Sequence, residues 1–225
     1  MSWRDWIRRV EVEPSLYAAD FARLGAQIET LLEAGCRVFH FDVGDGHFVE
    51  PVTMGPIVLE SISGLVHGRG GAVDVHLMVE NPAKYFAPVA AAGGDSVTFH
   101  YEAVADVDAT VAAARGHDLQ AGVAFNPATE PEDVAAVASE VDIVLCMGID
   151  PGYSGQPLRP DTTDRVRRLA NALDGAAPIQ VDGGVGAGNI RELHDAGATL
   201  LVAGSAVFAG DDLAERYRRL VDALA

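Results

Sequence analysis

The stretch Val38-Phe-His-Phe-Asp-Val-Gly-Asp-Gly-His-Phe-Val-Glu-Pro51 begins as an apolar segment and then places polar groups at a regular spacing. Its first half is typical of a buried strand. Residues two apart on a strand project from the same face, so His40 and Asp42 point the same way. The stretch therefore predicts a core strand that carries an imidazole and a carboxylate near its C-terminal end.

Strand patterns of this kind alternate with helical patterns along the chain. The predicted strands lie near residues 11–15, 37–42, 72–77, 96–100, 119–124, 141–146, 178–182 and 199–203. The predicted helices lie near residues 20–34, 55–66, 82–92, 105–116, 131–138, 161–173, 187–196 and 211–224. Eight strand-then-helix units, each of about 28 residues, predict an α/β fold of the (β/α)8 TIM barrel type.

An open, doubly wound sheet is the alternative that the same alternation permits. The count of eight units favours a closed barrel, and no Gly-x-Gly-x-x-Gly fingerprint follows the first predicted strand. Closure matters for function because the active sites of such barrels collect at the C-terminal ends of the strands.

The composition favours one domain over residues 1–225, since no linker or charge block divides the chain. Residues 1–11 are expected to be a short N-terminal extension. Helical spacing of its apolar residues predicts a short amphipathic helix that packs on the barrel or on a partner subunit. These residues are Trp3, Trp6, Ile7 and Val10.

The charge balance limits the partners. Thirty-three acidic residues against 16 lysines and arginines give a formal net charge of −17, which disfavours nucleic acids and anionic membranes. No segment has the apolar run of a signal peptide or a membrane span, so a cytoplasmic protein is expected. Cys36 and Cys146 each lie in an apolar run, which predicts reduced thiols in the core.

Two further predicted strands end in side chains of the same kind as the opening stretch. The third ends with His76 and the seventh with Asp182, so two imidazoles and two carboxylates meet at the mouth of the predicted barrel. Each alone has an ordinary structural interpretation, as a helix cap or a hydrogen-bonded core residue. Burying two uncompensated carboxylates would cost several kcal/mol. A divalent cation removes that cost, and the donor set suits zinc, iron, cobalt or manganese better than calcium.

Glycine-rich segments follow the last three predicted strands. They are Asp150-Pro-Gly-Tyr-Ser-Gly-Gln156, Gly183-Gly184 and Leu201-Val-Ala-Gly-Ser-Ala206. Glycines allow backbone N–H groups to approach an anion, and barrels commonly bind phosphate after their last strands. The segments predict a phosphate site that needs no lysine.

Taken together, these residues resemble the ribulose-phosphate 3-epimerase family. The resemblance runs in order from about residue 12 to about residue 210 and implies a barrel of the ribulose-phosphate-binding type. The matching stretches are Pro14-Ser15, Ala19-Asp-Phe-Ala-Arg-Leu-Gly25, His40-Phe-Asp42, Asp45-Gly-His-Phe-Val49, Asp74-Val-His-Leu-Met78, Phe99-His-Tyr-Glu-Ala103, Phe125-Asn-Pro-Ala-Thr129, Asp150-Pro-Gly-Tyr-Ser-Gly-Gln156, Val181-Asp-Gly-Gly184 and Ala203-Gly-Ser-Ala-Val-Phe208.

The resemblance implies roles for residues as well as a fold. The implied metal ligands are His40, Asp42, His76 and Asp182, with Asp42 as the proton acceptor and Asp182 as the proton donor. The implied substrate contacts are Ser15, His76, Gly152, Tyr153, Ser154, Gly155, Gly183, Gly184, Gly204 and Ser205, and Met78 and Met147 would line the site. The implied enzyme is an isomerase, and a homo-oligomer.

The expected reaction interconverts D-ribulose 5-phosphate and D-xylulose 5-phosphate. The cation would stabilise an enediolate while one aspartate removes a proton and the other returns one. Two alternatives stay open, an epimerase of another ketose phosphate such as allulose 6-phosphate and a non-catalytic phospho-sugar binding protein. Residues 150–157 are expected to be a mobile cover for the bound phosphate.

This chain departs from the family pattern near the predicted mouth. It has Gly44 after the strand-end aspartate, Glu50-Pro51 after the turn, Ala18 near Ser15 and Gly148 after the sixth strand. We interpret Gly44 and Gly148 as enlarging or loosening the wall around the sugar, which is the reason for the six-carbon alternative. His47 and His100 are expected to be offset from the ligand set. Glu102 is expected to be a supporting or capping residue.

Overall fold

The computed structural model describes residues 10–153 and 155–225. Eight parallel strands form one sheet in the order β1-β8-β7-β6-β5-β4-β3-β2, which confirms the expected (β/α)8 barrel. The strands are β1 (Glu11–Pro14), β2 (Val38–Gly44), β3 (Ala72–Met78), β4 (Ser96–His100), β5 (Gln120–Phe125), β6 (Ile143–Met147), β7 (Ile179–Asp182) and β8 (Leu200–Ala203). Each observed strand overlaps a predicted one.

The barrel closes where the first and last members of the sheet order meet. β1 pairs along its length with β8, and Ser15, directly after β1, forms one parallel bridge with His40 of β2. Closure therefore brings together two residues that the sequence assigns to the site.

The described helices lie between the strands as predicted. They are α1 (Leu24–Glu33), α2 (Pro56–Gly68), α3 (Ala83–Ala91), α4 (Val107–Arg115), α5 (Pro131–Ala135), α6 (Thr162–Leu173), α7 (Ile190–Asp195), α8 (Ser205–Phe208) and α9 (Leu213–Asp222). Proline at the first position suits α2 and α5, where its missing N–H has no partner to lose. The short helix α8 was not predicted as a separate element. In the described ranges, no helix has both the length and the apolar character needed to cross a bilayer.

Two predictions fall wholly or partly on residues outside the described ranges. The N-terminal amphipathic helix is one, although Val10 is described and packs against the core. The placement of Ser154 is the other. The single domain with its extension stays a prediction. Both cysteines are buried and free of disulfides, as expected.

Side chains that face the barrel axis form layers, because each strand turns every second residue inward. Near the N-terminal end of the barrel, Val38, Ile143 and Leu200 form an apolar cluster of their own. The cluster closes that end to water. Farther toward the C-terminal end, β1, β3 and β7 contribute buried polar side chains, Glu13, Asp74 and Gln180.

A buried polar network occupies the layer above this cluster. Asp74 accepts hydrogen bonds from Ser96 Oγ at 2.9 Å and from Gln180 Nε2 at 2.9 Å. Gln180 also donates to Glu13, which is fully buried. Burial first, and then the charge of Asp74, raises the pKa of Glu13 well above its ordinary value. Glu13 therefore keeps its proton to a higher pH in the folded protein than in the unfolded chain.

Replacing Glu13 with glutamine should stabilise the protein at neutral and higher pH. A group whose pKa is raised on folding loses stability as the pH rises above the unfolded value, because ionisation then favours the unfolded chain. Glutamine keeps the acceptor for Gln180 and has no proton to lose. Urea unfolding should show a larger free energy for Glu13→Gln than for wild type at about pH 8, and a difference that shrinks toward about pH 5.

The control is Glu29→Gln, an exposed glutamate on α1. It should leave the free energy of unfolding within about 0.5 kcal/mol of wild type at every pH. A Glu13→Gln protein with the same pH profile as wild type would show that Glu13 is ionised in the folded state.

Candidate active site

Four side chains converge at the C-terminal end of the barrel. The register of β2 on β3 pairs Asp42 with His76. His76 Nδ1 lies 3.1 Å from Asp42 Oδ1 and 3.9 Å from Asp182 Oδ2, and His40 Nε2 lies 3.3 Å from Asp42 Oδ1. One ligand atom from each of the four residues lies within 4.8 Å of the others. The geometry thus brings together the four residues that the sequence analysis selected.

Asp42 is ionised in this cluster. Burial acts to raise its pKa, but the charge of the neighbouring His40 and the contact with His76 outweigh burial and hold the pKa well below its ordinary range. Ser15 Oγ donates to Asp42 Oδ2 at 2.7 Å. The Asp42 carboxylate is therefore kept ionised and in one orientation.

Asp182 has the opposite protonation state. Burial and the nearby charge of Asp42 raise the pKa of Asp182 to about 7. Like charges at this separation resist joint ionisation, so the first carboxylate to ionise keeps the second protonated. The two aspartates can therefore serve as a base and an acid at the same pH.

The donor set fits a divalent cation. His40 donates from Nδ1 to Asp74 Oδ2 at 3.1 Å, which leaves Nε2 facing the cluster. His40 Nε2 is buried and has no hydrogen-bond partner among the described residues. Two imidazole nitrogens and two carboxylates are ligands that zinc and its neighbours accept. A carboxylate behind a ligating histidine is the usual support of such a site.

A cavity above the cluster contains most of the remaining predicted site residues. Its lining includes Ser15, Asp42, Met78, Met147, Gly152, Tyr153, Gly155, Asp182, Gly183, Gly184, Gly204 and Ser205. His40 and His76 lie beneath it and are fully buried. Sequence reasoning missed four lining residues, Tyr17, Ile149, Val185 and Val202. Val202 could have been predicted as a lining residue, because it is on β8 two residues before the predicted site residue Gly204 and therefore faces inward.

The interpretation of Gly44 as enlarging the site is wrong. A Cβ atom at Gly44 would lie 2.8 Å from the Pro51 carbonyl oxygen and 3.0 Å from Val49 Cγ2. The segment after β2 folds back over this glycine and is anchored by a hydrogen bond from the Gly44 N–H to Thr53 Oγ1 at 2.6 Å. The missing side chain is replaced by backbone, so no space is gained.

The same correction applies to Gly148. A Cβ atom there would lie 2.5 Å from the Gly183 carbonyl oxygen and 2.7 Å from Leu158 Cδ1. The glycine allows the segments after β6 and β7 to pack closely. Neither glycine lines the cavity.

The segments that follow β2 and β6 meet across the mouth. Tyr153 donates from its hydroxyl to Glu50 Oε2 at 3.2 Å. Gly152 has a positive φ of 116° and lies so close to Val49 that an added Cβ would be 3.3 Å from it. Glu50 therefore contacts the expected cover segment and is absent from the cavity lining.

The other histidines divide as follows. His47 and His117 are exposed, and His67 pairs with Asp95 at the surface. His194 is partly buried and contacts the Ala198 carbonyl. His100, expected to be offset from the ligand set, is fully buried and lies 2.9 Å from His76.

Comparison with known proteins decides the family. The profile of the ribulose-phosphate 3 epimerase family matches residues 11–208. The chain belongs to the ribulose-phosphate 3-epimerase family. It is 40% identical over 214 residues to the ribulose-phosphate 3-epimerase of Escherichia coli strain K12, which covers 94% of this chain and 92% of that protein. The ribulose-phosphate 3-epimerase of Serratia marcescens is 38% identical and covers 92% of this chain and 99% of that protein.

Solved structures extend the likeness of fold beyond this family of isomerases. Orotidine 5'-phosphate decarboxylase from Pyrococcus horikoshii superposes with a TM-score of 0.72 over 95% of this chain and 98% of that chain, at 14% identity. Identity this low supports the barrel and not the chemistry. The expected family and the expected enzyme class, an isomerase, are confirmed.

The affinity of the cluster for a divalent cation should rise with pH. Asp182 keeps its proton below about 7, and burial of His40 is outweighed by Asp42 and Asp74, which raise the His40 pKa well above its ordinary value. A cation must displace these protons, so affinity should increase by about tenfold per pH unit for each proton displaced and then level off. Calorimetric titration with zinc or cobalt between about pH 5.5 and 8 measures this.

The comparison variant is Asp182→Asn, which has no carboxyl proton to displace. It should bind more weakly and with a shallower dependence on pH than wild type. Equal affinity at all pH values in the wild-type protein would contradict the assigned protonation states.

Proposed function

We propose that this protein is a metal-dependent epimerase that interconverts D-ribulose 5-phosphate and D-xylulose 5-phosphate. The observation that carries the proposal is one cavity lined by both Asp42 and Asp182, whose pKa values are shifted in opposite directions. Inversion at a carbon next to a carbonyl needs a base and an acid together. The names of the relatives support the choice of substrate.

The proposed cofactor is one divalent cation, zinc, iron, cobalt or manganese, held by His40, Asp42, His76 and Asp182. When bound, it would supply Lewis-acid stabilisation of the negative charge that develops on the substrate oxygens. The orphaned Nε2 of His40 supports this assignment.

Asp42 is the proposed proton acceptor. Its low pKa keeps it ionised, and the hydrogen bond from Ser15 Oγ leaves it little rotational freedom. It would take the proton from the third carbon of the sugar, leaving an enediolate. Ser15, at the cavity wall, would also contact the sugar.

Asp182 is the proposed proton donor. It lies on β7, which β8 and β1 separate from β2 in the closed barrel. Asp42 and Asp182 thus reach the cavity from different sides, as return of a proton to the opposite face requires. In the reverse reaction the roles exchange, because each carboxylate ends the turnover in the other's starting state.

The phosphate end would lie on the segments after β6, β7 and β8. Gly183, Gly184, Gly204 and Ser205 line that wall, where α8 begins. The N–H groups of a first helical turn have no partner within the helix. The described cavity lining includes neither lysine nor arginine, so we propose that backbone N–H groups hold the phosphate. Gly152, Tyr153 and Gly155 would cover it, together with Ser154.

The hypothesis of a six-carbon substrate loses its support, because Gly44 and Gly148 do not widen the cavity. The non-catalytic alternative has no observation in its favour either, since the positions proposed for catalysis carry ionisable groups in complementary states. The five-carbon ketose phosphate is therefore the substrate we propose.

Replacing either aspartate by asparagine should remove the activity. Asp42→Asn lacks a base and Asp182→Asn lacks an acid, and loss of one such group typically lowers the rate by about 100- to 10,000-fold. The assay is coupled detection of xylulose 5-phosphate with metal-loaded protein, alongside exchange of the third-carbon hydrogen into deuterated water. Wild type should show a higher kcat/KM for ribulose 5-phosphate than for allulose 6-phosphate.

The matched control is Asp164→Asn, an exposed aspartate on α6 near Arg167. It should keep wild-type kcat and KM. Activity that survives both site substitutions would sink the two-aspartate mechanism, and binding of ketose phosphates without hydrogen exchange would favour the non-catalytic alternative.

We also propose a cytoplasmic homo-oligomer. Large apolar side chains on the segments after β1 and β2 are exposed, namely Phe21, Val52 and Ile57. A partner subunit that covered these side chains would remove them from water. Light scattering should give a mass above that of one chain, and Ile57→Asp should lower it. A monomeric wild type would contradict this.

A further inference from the structure

A second buried histidine lies directly behind the ligand candidate His76. The ring nitrogens His76 Nε2 and His100 Nε2 are 2.9 Å apart, and both residues are fully buried. Two ring nitrogens at this distance need one proton between them, so one donates and the other accepts. The direction of this hydrogen bond decides which nitrogen of His76 is free for a cation.

Glu102 sets that direction from the far side of His100. Its Oε1 accepts hydrogen bonds from the Asn126 N–H at 2.7 Å and from Thr129 Oγ1 at 2.5 Å, and its Oε2 lies 3.3 Å from His100 Nδ1. Burial acts to raise the pKa of Glu102, but the hydrogen bonds from His100 and Thr129 lower it to about 2. A carboxylate only accepts, so His100 Nδ1 must be the donor.

The remaining positions follow from the chemistry of imidazole. A neutral ring has one N–H, so His100 Nε2 accepts and His76 Nε2 donates to it. His76 Nδ1 then presents a lone pair toward Asp42 at 3.1 Å and Asp182 at 3.9 Å, an arrangement that needs a cation to hold these groups together. The opposite tautomer would place a proton where a cation has to bind.

The surroundings make this series of hydrogen bonds rigid. Arg165, 4% exposed, donates from Nη2 to the carbonyls of Asn126 at 3.1 Å and of Thr129 at 3.0 Å, so α6 fixes the turn that holds Glu102. The Phe48 ring packs on His100 with centroids 4.7 Å apart. Little freedom is left for either ring to turn.

We propose that His100 and Glu102 are positioning residues that hold His76 in the tautomer and orientation that bind the cation. This inference rests on the proposed function, because it concerns the same cation site. The arrangement matches that of His40, which donates directly to Asp74. For His76, the carboxylate of Glu102 acts through the imidazole of His100. Support of this kind usually contributes about 10- to 100-fold to metal affinity.

The test measures cobalt binding to the whole protein rather than turnover. Glu102→Gln keeps the size of the side chain, but its amide can present an oxygen either to His100 or to the Asn126–Thr129 turn, and not to both. We expect its cobalt Kd to rise by about 10- to 100-fold in competition with a chelating dye. The visible absorption bands of bound cobalt should also shift, because ligand geometry changes.

The matched control is Glu130→Gln, the same substitution in the same segment at an exposed residue that pairs with Arg168. It should keep the wild-type cobalt Kd and spectrum. His100→Leu, which removes the acceptor, should bind cobalt more weakly than His100→Gln, whose amide oxygen can accept from His76. This order between two variants of one position holds even if Glu102→Gln folds poorly.

Two results would overturn the inference in different ways. If wild type binds no cobalt, the cation site itself fails, and with it the metal dependence in the proposed function. If wild type binds cobalt and Glu102→Gln and His100→Leu match it in Kd and spectrum, only the positioning role fails. A structural role alone would lower the melting temperature of the metal-free variants and leave the cobalt spectrum unchanged.

Discussion

The buried charge of the Asp42 carboxylate is the constraint on which the rest of the candidate site depends. Asp42 is 4% exposed, so its neighbours must compensate the charge that water would otherwise solvate. Ser15 does so by a hydrogen bond at 2.7 Å, and the rings of His40 and His76 lie 3.3 and 3.1 Å from the carboxylate. Burial, together with this same charge, raises the pKa of Asp182 to about 7. Asp42 and Asp182 look alike in the sequence, but their pKa values differ, partly because Asp182 lies close to the negative charge of Asp42.

The contact that closes the barrel also helps to form this cluster. The bridge between Ser15 and His40 joins β1 to β2, and it also brings the Ser15 hydroxyl to Asp42. The register of β2 on β3 places Asp42 beside His76, and a slip of β2 by one residue would turn His40 and Asp42 away from the axis. The backbone geometry that encloses the core therefore also sets the distances between the ionisable groups.

The sequence predicted the eight strands and the four central side chains because both depend on local alternation. The same alternation marks Glu13, Asp74 and Gln180, each two residues before a predicted site residue, so the buried network was within reach of that reasoning. The close packing around Gly44 could not be predicted in this way, because it depends on the path of the chain from Val49 to Thr53. The link between His76 and His100 was missed although His100 also ends a predicted strand, because the separation of the two rings depends on the stagger between β3 and β4.

The carboxyl groups behind the histidines show why the site and the fold are energetically coupled. Asp74 supports His40 and Glu102 supports His76 through His100, which increases the electron density on the nitrogens that face the cluster. That arrangement adds negative charge to a place already occupied by Asp42. Without a cation, the interior limits the excess by keeping protons on Asp182 and Glu13. A bound cation would replace part of this protonation, so free energy of cation binding would also be free energy of folding.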